Sequence, residues 1–309
     1  MAVGQHCARI SRQYVRMGEF RLVSGEAPTK VKAIVTGANM RLPYICAGLA
    51  ASVACGGKAS YVSASDLVSH HAIYSMTLES TVESSGGPAS IRGAMSYEFQ
   101  SRCNAWTVDS TVFLKMNFDG PREIESVRKI ITWEGKDGLG FRFRLSETHG
   151  GENVEEINGV ATLDGKGQAG IVEYVKPRRF KVNLPKGTLF PIGHVKAVIS
   201  TSVLGGNFVG RHLFDGASLD EPYMVSAFIA KKAEQSSPAN PAKGEPEDLP
   251  TWNARLAYFR ANSPSETPEF EIGVRYRENG IVEELIQDYG AYTIVARLGQ
   301  LEIMPFEKC

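Results

Sequence analysis

The sequence has few cysteines, no long hydrophobic run and no net charge. Only five of its 309 residues are cysteine, and no two have the C-x-x-C spacing of zinc ribbons and thioredoxin-like sites. No stretch reaches the roughly 20 apolar residues that a membrane-spanning helix needs. Lys and Arg balance Asp and Glu at 34 each, so no general positive charge attracts nucleic acid. We therefore predict a folded protein that is not an integral membrane protein and binds no nucleic acid.

Sequence motifs of enzymes and metal proteins are also missing. The chain has no G-x-S-x-G pentapeptide, the turn that presents a nucleophilic serine in many hydrolases. Its six histidines form none of the usual metal-ligand pairs. His70 and His71 are interpreted as polar residues before the first strand, and nothing in the spacing of His194 and Asp215 selects them for a catalytic triad. We predict no enzymatic activity, no metal and no cofactor.

Residues 1–59 differ in composition from the rest of the chain. They contain eight Lys or Arg and two acidic residues, and an apolar run extends from Leu42 to Ala54. A basic start, a short apolar segment and small residues at its end are typical of a secretory signal peptide. We predict an N-terminal extension plus signal peptide, with Met40 as the candidate start and cleavage after Ala54 or Ala59. A buried helix and a lipoprotein acylated on Cys55 are the alternatives.

Residues 60–309 are predicted to form a single all-β domain. Apolar and polar residues alternate, as at Phe141, Phe143 and Leu145, and this period of two indicates strands with one buried face. Turn pairs such as Asn158-Gly159 separate about a dozen such segments. This spacing favours a mainly antiparallel sandwich or barrel.

Two segments break the strand pattern. Apolar residues recur at helical spacing after Pro191, and Gly205 is a suitable residue to end a helix, so we predict one helix near residues 191–204. Residues 231–252 are polar and proline-rich and are predicted to form a flexible surface loop.

Export would decide which cysteines remain in the mature chain. Removal of a signal peptide takes away Cys7 and Cys46, and the later cleavage point also removes Cys55. Cys103 and Cys309 are then left in an oxidising compartment, either as two thiols or as a disulfide.

Aromatic residues at alternate strand positions allow two kinds of interior. Aromatic side chains on the inner face would either fill a core or line a hydrophobic cavity. The candidates for a cavity lining are Tyr97, Phe99, Phe141 and Phe143. A carrier of a lipid or other hydrophobic ligand is therefore an alternative function.

An ordered set of short strings extends from about residue 70 to the C-terminus. The strings are Gly93–Phe99 with Cys103-Asn104-Ala105-Trp106, Trp133-Glu134 with Asp137-Gly138, Gly159-Val160-Ala161, Leu184–Pro191 with His194, Leu213-Phe214-Asp215-Gly216 and the terminal Cys309. Together and in this order they resemble the EipB family of alphaproteobacterial periplasmic cell-envelope-integrity proteins. The long N-terminal extension departs from the family pattern.

The resemblance implies a spiral or barrel-like β-sheet in the periplasm, a disulfide between Cys103 and Cys309, and no catalytic residue. It also implies that envelope integrity is maintained through protein partners or envelope components. A hydrolase acting on cell-wall material would instead need titratable groups that converge in a cleft. We interpret these residues of the strings as structural: Trp106, Trp133, Asp137, Pro185, Phe190, Pro191, His194, Phe214, Asp215 and Gly216. His194 is predicted to satisfy a nearby polar group.

Overall fold

The structure, a computed structural model, describes residues 67–82, 86–219, 222–230, 249–260 and 266–305, with Glu307 and Cys309. The predicted signal peptide, its cleavage points and residues 231–248 of the predicted loop lie outside these residues. Thr251 and Trp252, which the sequence pattern assigns to the end of that loop, are instead buried residues at the start of a strand.

Fourteen strands and one helix make up the described part of the chain. The first eight strands are β1 (His70–Thr81), β2 (Ser90–Ser101), β3 (Ala105–Asn117), β4 (Glu123–Gly135), β5 (Gly140–His149), β6 (Glu152–Leu163), β7 (Gly170–Lys176) and β8 (Phe180–Leu184). Helix α1 (Pro191–Val203) follows. The last six strands are β9 (Phe208–Leu213), β10 (Tyr223–Ile229), β11 (Thr251–Arg260), β12 (Phe270–Arg277), β13 (Val282–Asp288) and β14 (Tyr292–Ile303).

The strands form one antiparallel sheet built from two meanders. Within β1–β8 and within β9–β14, neighbours in sequence are neighbours in the sheet, and β1 pairs with β14 to join the meanders. Strands β8 and β9 are therefore the two edges. The chain between them contains α1, and Leu189 forms a single parallel bridge with Leu213 of β9. A mainly antiparallel sheet with one helix is thus confirmed, with fourteen strands instead of about a dozen and two edges that do not pair with each other.

The alternation of residues decides which face of each strand is buried. In β5, Phe141, Phe143 and Leu145 are buried, whereas Arg142 and Arg144 are exposed. Since side chains alternate along a strand, the apolar set of each strand lies on one face of the sheet. These inner residues form three buried clusters, one against α1 and β9–β12, one within β5–β8, and one at β1, β2 and β14.

Helix α1 begins where the sequence predicts and ends one residue earlier. Pro191 is its first residue, and Gly205, with a φ of 77°, follows its C-cap and donates its N–H to the Ser202 carbonyl over 3.0 Å. A left-handed residue after the last turn is a common way to end a helix. The inner side of α1 buries Ile192, His194, Val198, Ile199 and Ser202.

Two predicted details of the strands are wrong. Asn158-Gly159 was predicted as a turn, but both residues lie within β6. A Cβ on Gly159 would lie 2.8 Å from Phe143 Cζ, so this glycine permits close packing between strands instead of a turn. His70, predicted to precede the first strand, is the buried first residue of β1, and His71 Nε2 lies 2.9 Å from Ser96 Oγ.

Candidate functional site

A carboxylate from the sheet caps the N-terminus of α1. Phe190, at the N-cap position, makes no side-chain hydrogen bond to the helix. Instead, the N–H groups of Ile192 and Gly193 donate to the two carboxylate oxygens of Glu134 over 2.8 and 2.7 Å. Glu134 lies on β4 and is 1% exposed. The carboxylate thus satisfies two helix amides that would otherwise lack partners and complements the positive end of the helix dipole.

Burial and hydrogen bonding act on Glu134 in opposite directions. Burial disfavours the charged form and raises the pKa of Glu134 to about 7, while the two backbone N–H donors favour the carboxylate. The charge of this group therefore changes near neutral pH.

Aromatic side chains fill the interior on one side of the helix N-terminus. Phe190 stacks on Phe141 with ring centroids 5.1 Å apart, and Phe214 meets Phe143 edge-on at 5.4 Å. Tyr174 lies 5.6 Å from Phe143. Each of these five residues is at most 4% exposed. We call them the aromatic cluster: Phe141, Phe143, Tyr174, Phe190 and Phe214.

Gly216 and Pro185 shape the chain that carries the aromatic cluster. Gly216 has a φ of 70°, and a Cβ there would lie 2.5 Å from Phe143 Cγ, so both the backbone and the packing require glycine. The Pro185 carbonyl accepts hydrogen bonds from the backbone N–H and the hydroxyl of Thr188, at 3.3 and 2.7 Å. This turn directs the chain from β8 towards Phe190.

Trp106 connects the sheet to α1. It lies on β3 directly opposite Glu134 in the strand register and is buried. The ammonium group of Lys196, on α1, lies 5.3 Å from the centre of the Trp106 ring, a distance suited to a cation–π contact.

Trp133 and Asp137 stabilise the hairpin between β4 and β5. The guanidinium of Arg142 lies 4.9 Å from the Trp133 ring centre. Asp137 accepts the backbone N–H of Leu139 over 2.9 Å, within the turn. The sequence-based interpretation of Trp133 and Asp137 as structural residues stays a prediction.

His194 is buried on the inner side of α1 with 2% of its surface exposed. Burial, with a smaller effect of the Arg211 charge, lowers the pKa of His194 to about 4, so the imidazole is neutral at pH 7. Its Nε2 has no hydrogen-bond partner among the described residues. The predicted contact of His194 with a nearby polar group stays a prediction.

On the other side of the helix N-terminus, the interior is not filled. A cavity of about 320 Å³ lies between α1 and the inner faces of β1–β4, β12 and β13. Its wall is mainly apolar and includes Met95, Phe99, Val108, Ile130, Ile192 and Leu285. The polar or partly polar side chains in it are His70, Tyr74, Tyr97, Ser110, Thr132, Asp215, Tyr276 and Asn279. Such a mainly apolar wall with few polar groups is typical of small-molecule sites.

Asp215 introduces a carboxyl group into the cavity wall. Its Oδ1 accepts the N–H of Ala217 over 2.9 Å. Burial raises the pKa of Asp215, although this hydrogen bond and the charge of Arg128 act in the opposite direction. Among the described residues, the wall contains no Lys or Arg.

A disulfide lies beside the strands that carry the cavity wall. Cys103, between β2 and β3, is joined to Cys309, and their Cα atoms are 5.6 Å apart. The bond ties the C-terminal residue to two strands whose inner faces line the cavity through Tyr97, Phe99 and Val108.

The structure brings most of the predicted residues to one region around the start of α1. Phe190 and Phe214 belong to the aromatic cluster, and Pro191 and Asp215 belong to the cavity wall. Glu134 belongs to the string Trp133-Glu134, but the sequence alone predicts no role for it. The available signal was its position. Ile130, Thr132 and Glu134 occupy every second position of β4, so all three side chains lie on its inner face.

The sequence of this chain has counterparts in known proteins. The family model described as EipB-like matches residues 61–305. This chain belongs to the EipB-like family. The cell envelope integrity protein EipB of Brucella abortus (strain 2308) is 31% identical over 279 residues, which cover 89% of this chain and 94% of the relative. The resemblance to the EipB family is thus confirmed.

A solved structure supports the same fold. The crystal structure of a beta-barrel-like protein from Brucella abortus, of a domain of unknown function, matches with a TM-score of 0.71 at 28% identity. The match covers 78% of this chain and 99% of the other. Among the residues described for this protein, no helix is long and apolar enough to cross a membrane.

Proposed function

We propose that this protein maintains cell-envelope integrity from the periplasm, without enzymatic activity, through protein partners or envelope components. The observation that carries the proposal is the EipB-like match over residues 61–305, together with the 31% identity to a relative named for envelope integrity. The predicted signal peptide supports the periplasmic location, since it would direct export.

The contacts of the buried charged groups support a structural role for them. Glu134 is held by the helix amides of α1, and Asp215 accepts a backbone N–H within its own turn. Arg277 donates from Nε to Glu283 over 2.9 Å, and both side chains are buried. A buried pair of this kind stabilises only when both partners are present.

Deletion and complementation in the native host would test the envelope function. Cells without the gene should become more sensitive to detergents, and the full-length gene should restore resistance. His194→Ala and Asp215→Ala should lower the protein level or its thermal stability together with envelope function. A variant that keeps its stability and level but loses all function would contradict the non-enzymatic proposal.

The periplasmic location has a separate test. Cell fractionation should recover the protein with the periplasm, with an N-terminus between Cys55 and Ser60. An intact chain that begins at Met1 in the cytoplasm would contradict this part of the proposal.

The cavity favours a second candidate function, carriage of a hydrophobic ligand. Its volume of about 320 Å³ lies within the range of about 300–1,000 Å³ typical of small-molecule pockets. Protein purified from the periplasm should release a lipid-like compound on denaturation, detectable by mass spectrometry of the organic extract.

Two matched variants make the carriage test specific. Val108 lines the cavity, so Val108→Phe should fill part of it and abolish the co-purified compound. Val160 is 42% exposed on the outer face of β6, so Val160→Phe should retain the compound. The same extract from both variants would contradict carriage in this cavity.

A further inference from the structure

We propose that the cavity binds single-chain amphiphiles with an uncharged head group and discriminates against anionic ones. The proposal rests on the proposed carriage function and adds the size and charge of the ligand. It depends on the composition of the cavity wall and on the way in which the adjoining helix N-terminus is capped.

The volume of the cavity limits the ligand to one chain. At about 320 Å³, it is near the lower end of the range for small-molecule pockets, about 300–1,000 Å³. A single chain of medium length is compatible with this volume, whereas a lipid with two long chains would have to leave much of its apolar surface outside. The mainly apolar wall gives such a chain a favourable transfer from water.

The charges around the cavity disfavour an anionic head group. No Lys or Arg occurs among the described residues of the wall. The nearby guanidinium of Arg128 already donates to the Ala217 carbonyl and acts on the Asp215 carboxyl, so the wall itself supplies no further cation to a buried carboxylate or phosphate. Asp215 adds a carboxyl group on the same wall. When Asp215 is ionised it repels an anion, and when it is protonated it offers no compensating charge.

The helix N-terminus beside the cavity would ordinarily attract an anion. Pro191 and Ile192, the first two residues of α1, both line the cavity. Free N–H groups at such a position bind phosphate and carboxylate groups. Here Glu134 already accepts the N–H groups of Ile192 and Gly193 and supplies the negative charge that complements the helix dipole. These two N–H groups and the positive end of the helix dipole are therefore already paired with a carboxylate of the protein and do not attract an anionic ligand.

Uncharged polar side chains on the wall suit an uncharged head group. Tyr97, Ser110, Thr132 and Asn279 all line the cavity, and hydroxyl and amide groups both donate and accept hydrogen bonds. Burial raises the pKa of Tyr97, which keeps its hydroxyl neutral. An alcohol, ester or glycerol head matches these groups without requiring a counter-ion. A cationic head pairing with Asp215 would lose about as much in desolvation as it gains.

A displacement experiment with three head groups on one chain length tests the proposal. The probe is N-phenyl-1-naphthylamine, an uncharged dye that fluoresces in apolar sites, displaced from the full mature protein at pH 8. The competitors are 1-decanol, decanoate and decyltrimethylammonium, each below its micelle concentration. We expect 1-decanol to displace the dye at a concentration at least about tenfold lower than decanoate, because the anion is buried without a partner. We also expect 1-decanol to displace the dye at a lower concentration than decyltrimethylammonium.

Two substitutions should reduce the discrimination against the anion. Asp215→Asn and Glu134→Gln each replace a carboxyl group near the cavity by a neutral amide. In each variant the ratio between the decanoate and 1-decanol concentrations needed for displacement should therefore fall severalfold. Asp109→Asn is the matched control, since Asp109 lies on the outer face of β3 in an ion pair with Lys129. This variant should keep the full difference between decanol and decanoate.

The possible outcomes separate the two proposals. If the dye binds neither the wild type nor Val160→Phe, carriage itself is wrong. If decanol and the dye bind but decanoate or the cation competes equally well, carriage stands and the charge discrimination is wrong. Because the three competitors are compared on the wild type, this result does not depend on the folding of either variant.

Discussion

Two parts of the same interior use aromatic side chains in different ways. On β5, Phe141 and Phe143 pack against two further rings. Phe190 directly precedes α1 and Phe214 directly follows β9, and together the four rings fill the space. On β2, Tyr97 and Phe99 instead line a cavity of about 320 Å³. The alternation along the strands is the same in both parts.

The difference lies in the residues that face the aromatic rings. Opposite β5, large rings fill the space, whereas the cavity wall includes the smaller residues Ser110, Thr132, Ala217 and Gly280. The pattern of one strand therefore shows which face is buried. Whether that face packs or lines a cavity depends on the volume of residues that are distant in sequence.

The disulfide should give the largest effect, because it holds strands of the cavity wall where packing is incomplete. Its cysteines are separated by 206 positions, and loop-closure entropy then gives at most about 5 kcal/mol. Cys309→Ser should lower the free energy of unfolding towards this limit in urea denaturation. Reduction of the wild type should give the same loss, and a midpoint that reduction leaves unchanged would contradict the prediction.

Removal of one phenylalanine from each part tests the comparison itself. Phe214→Ala should lower the free energy of unfolding by about 3–5 kcal/mol, because it opens a void in a filled cluster. Phe99→Ala enlarges an existing cavity, so its loss should lie at the lower end of this range, about 3 kcal/mol. Both variants can be measured by urea denaturation of the oxidised protein, and equal losses would mean that the two parts are packed alike.

A pair of glycine substitutions sharpens the account of the aromatic cluster. Gly216→Ala combines a left-handed φ of 70° with a Cβ position 2.5 Å from Phe143 Cγ, and should destabilise by about 3 kcal/mol. Gly138→Ala has a similar φ of 75° but no atom within 4 Å of the Cβ position, so it should cost about 1 kcal/mol. Thermal unfolding of the two variants isolates the contribution of the Phe143 contact, and similar midpoints would argue against it.

The last expected effect is a pH dependence at the border between the two parts. Glu134 has a pKa of about 7 in the fold, above its ordinary value of 4.5, so the folded state binds more protons than the unfolded state between these pH values. The contribution of Glu134 to stability is then greatest below about pH 4.5 and falls as the pH rises to about 7, by roughly 3 kcal/mol.

Glu134→Gln provides the reference for this pH dependence. All other titrating groups are the same in both proteins. The unfolding free energy of the wild type minus that of the variant should therefore fall between pH 4.5 and pH 7. A difference that stays constant or changes in the opposite direction would show that the pKa of Glu134 is not raised.

Much of this fold could be predicted from local patterns, but not all of it. The period of two identified most strands, and Pro191 with Gly205 identified α1. β8 has only five residues, and β9 contains Gly210 within a glycine-rich stretch, so neither has a strong alternating pattern. The contact between Glu134 and α1 joins residues almost 60 positions apart, and no local signal encodes it.

The most direct test of an unevenly filled interior is dye binding to three proteins under the same conditions. N-phenyl-1-naphthylamine should bind the wild type and Val160→Phe with one site and similar affinity. Val108→Phe, with the same substitution inside the cavity, should bind at least about tenfold more weakly while remaining folded by circular dichroism. Equal binding by all three proteins would contradict the claim that this cavity is the ligand site.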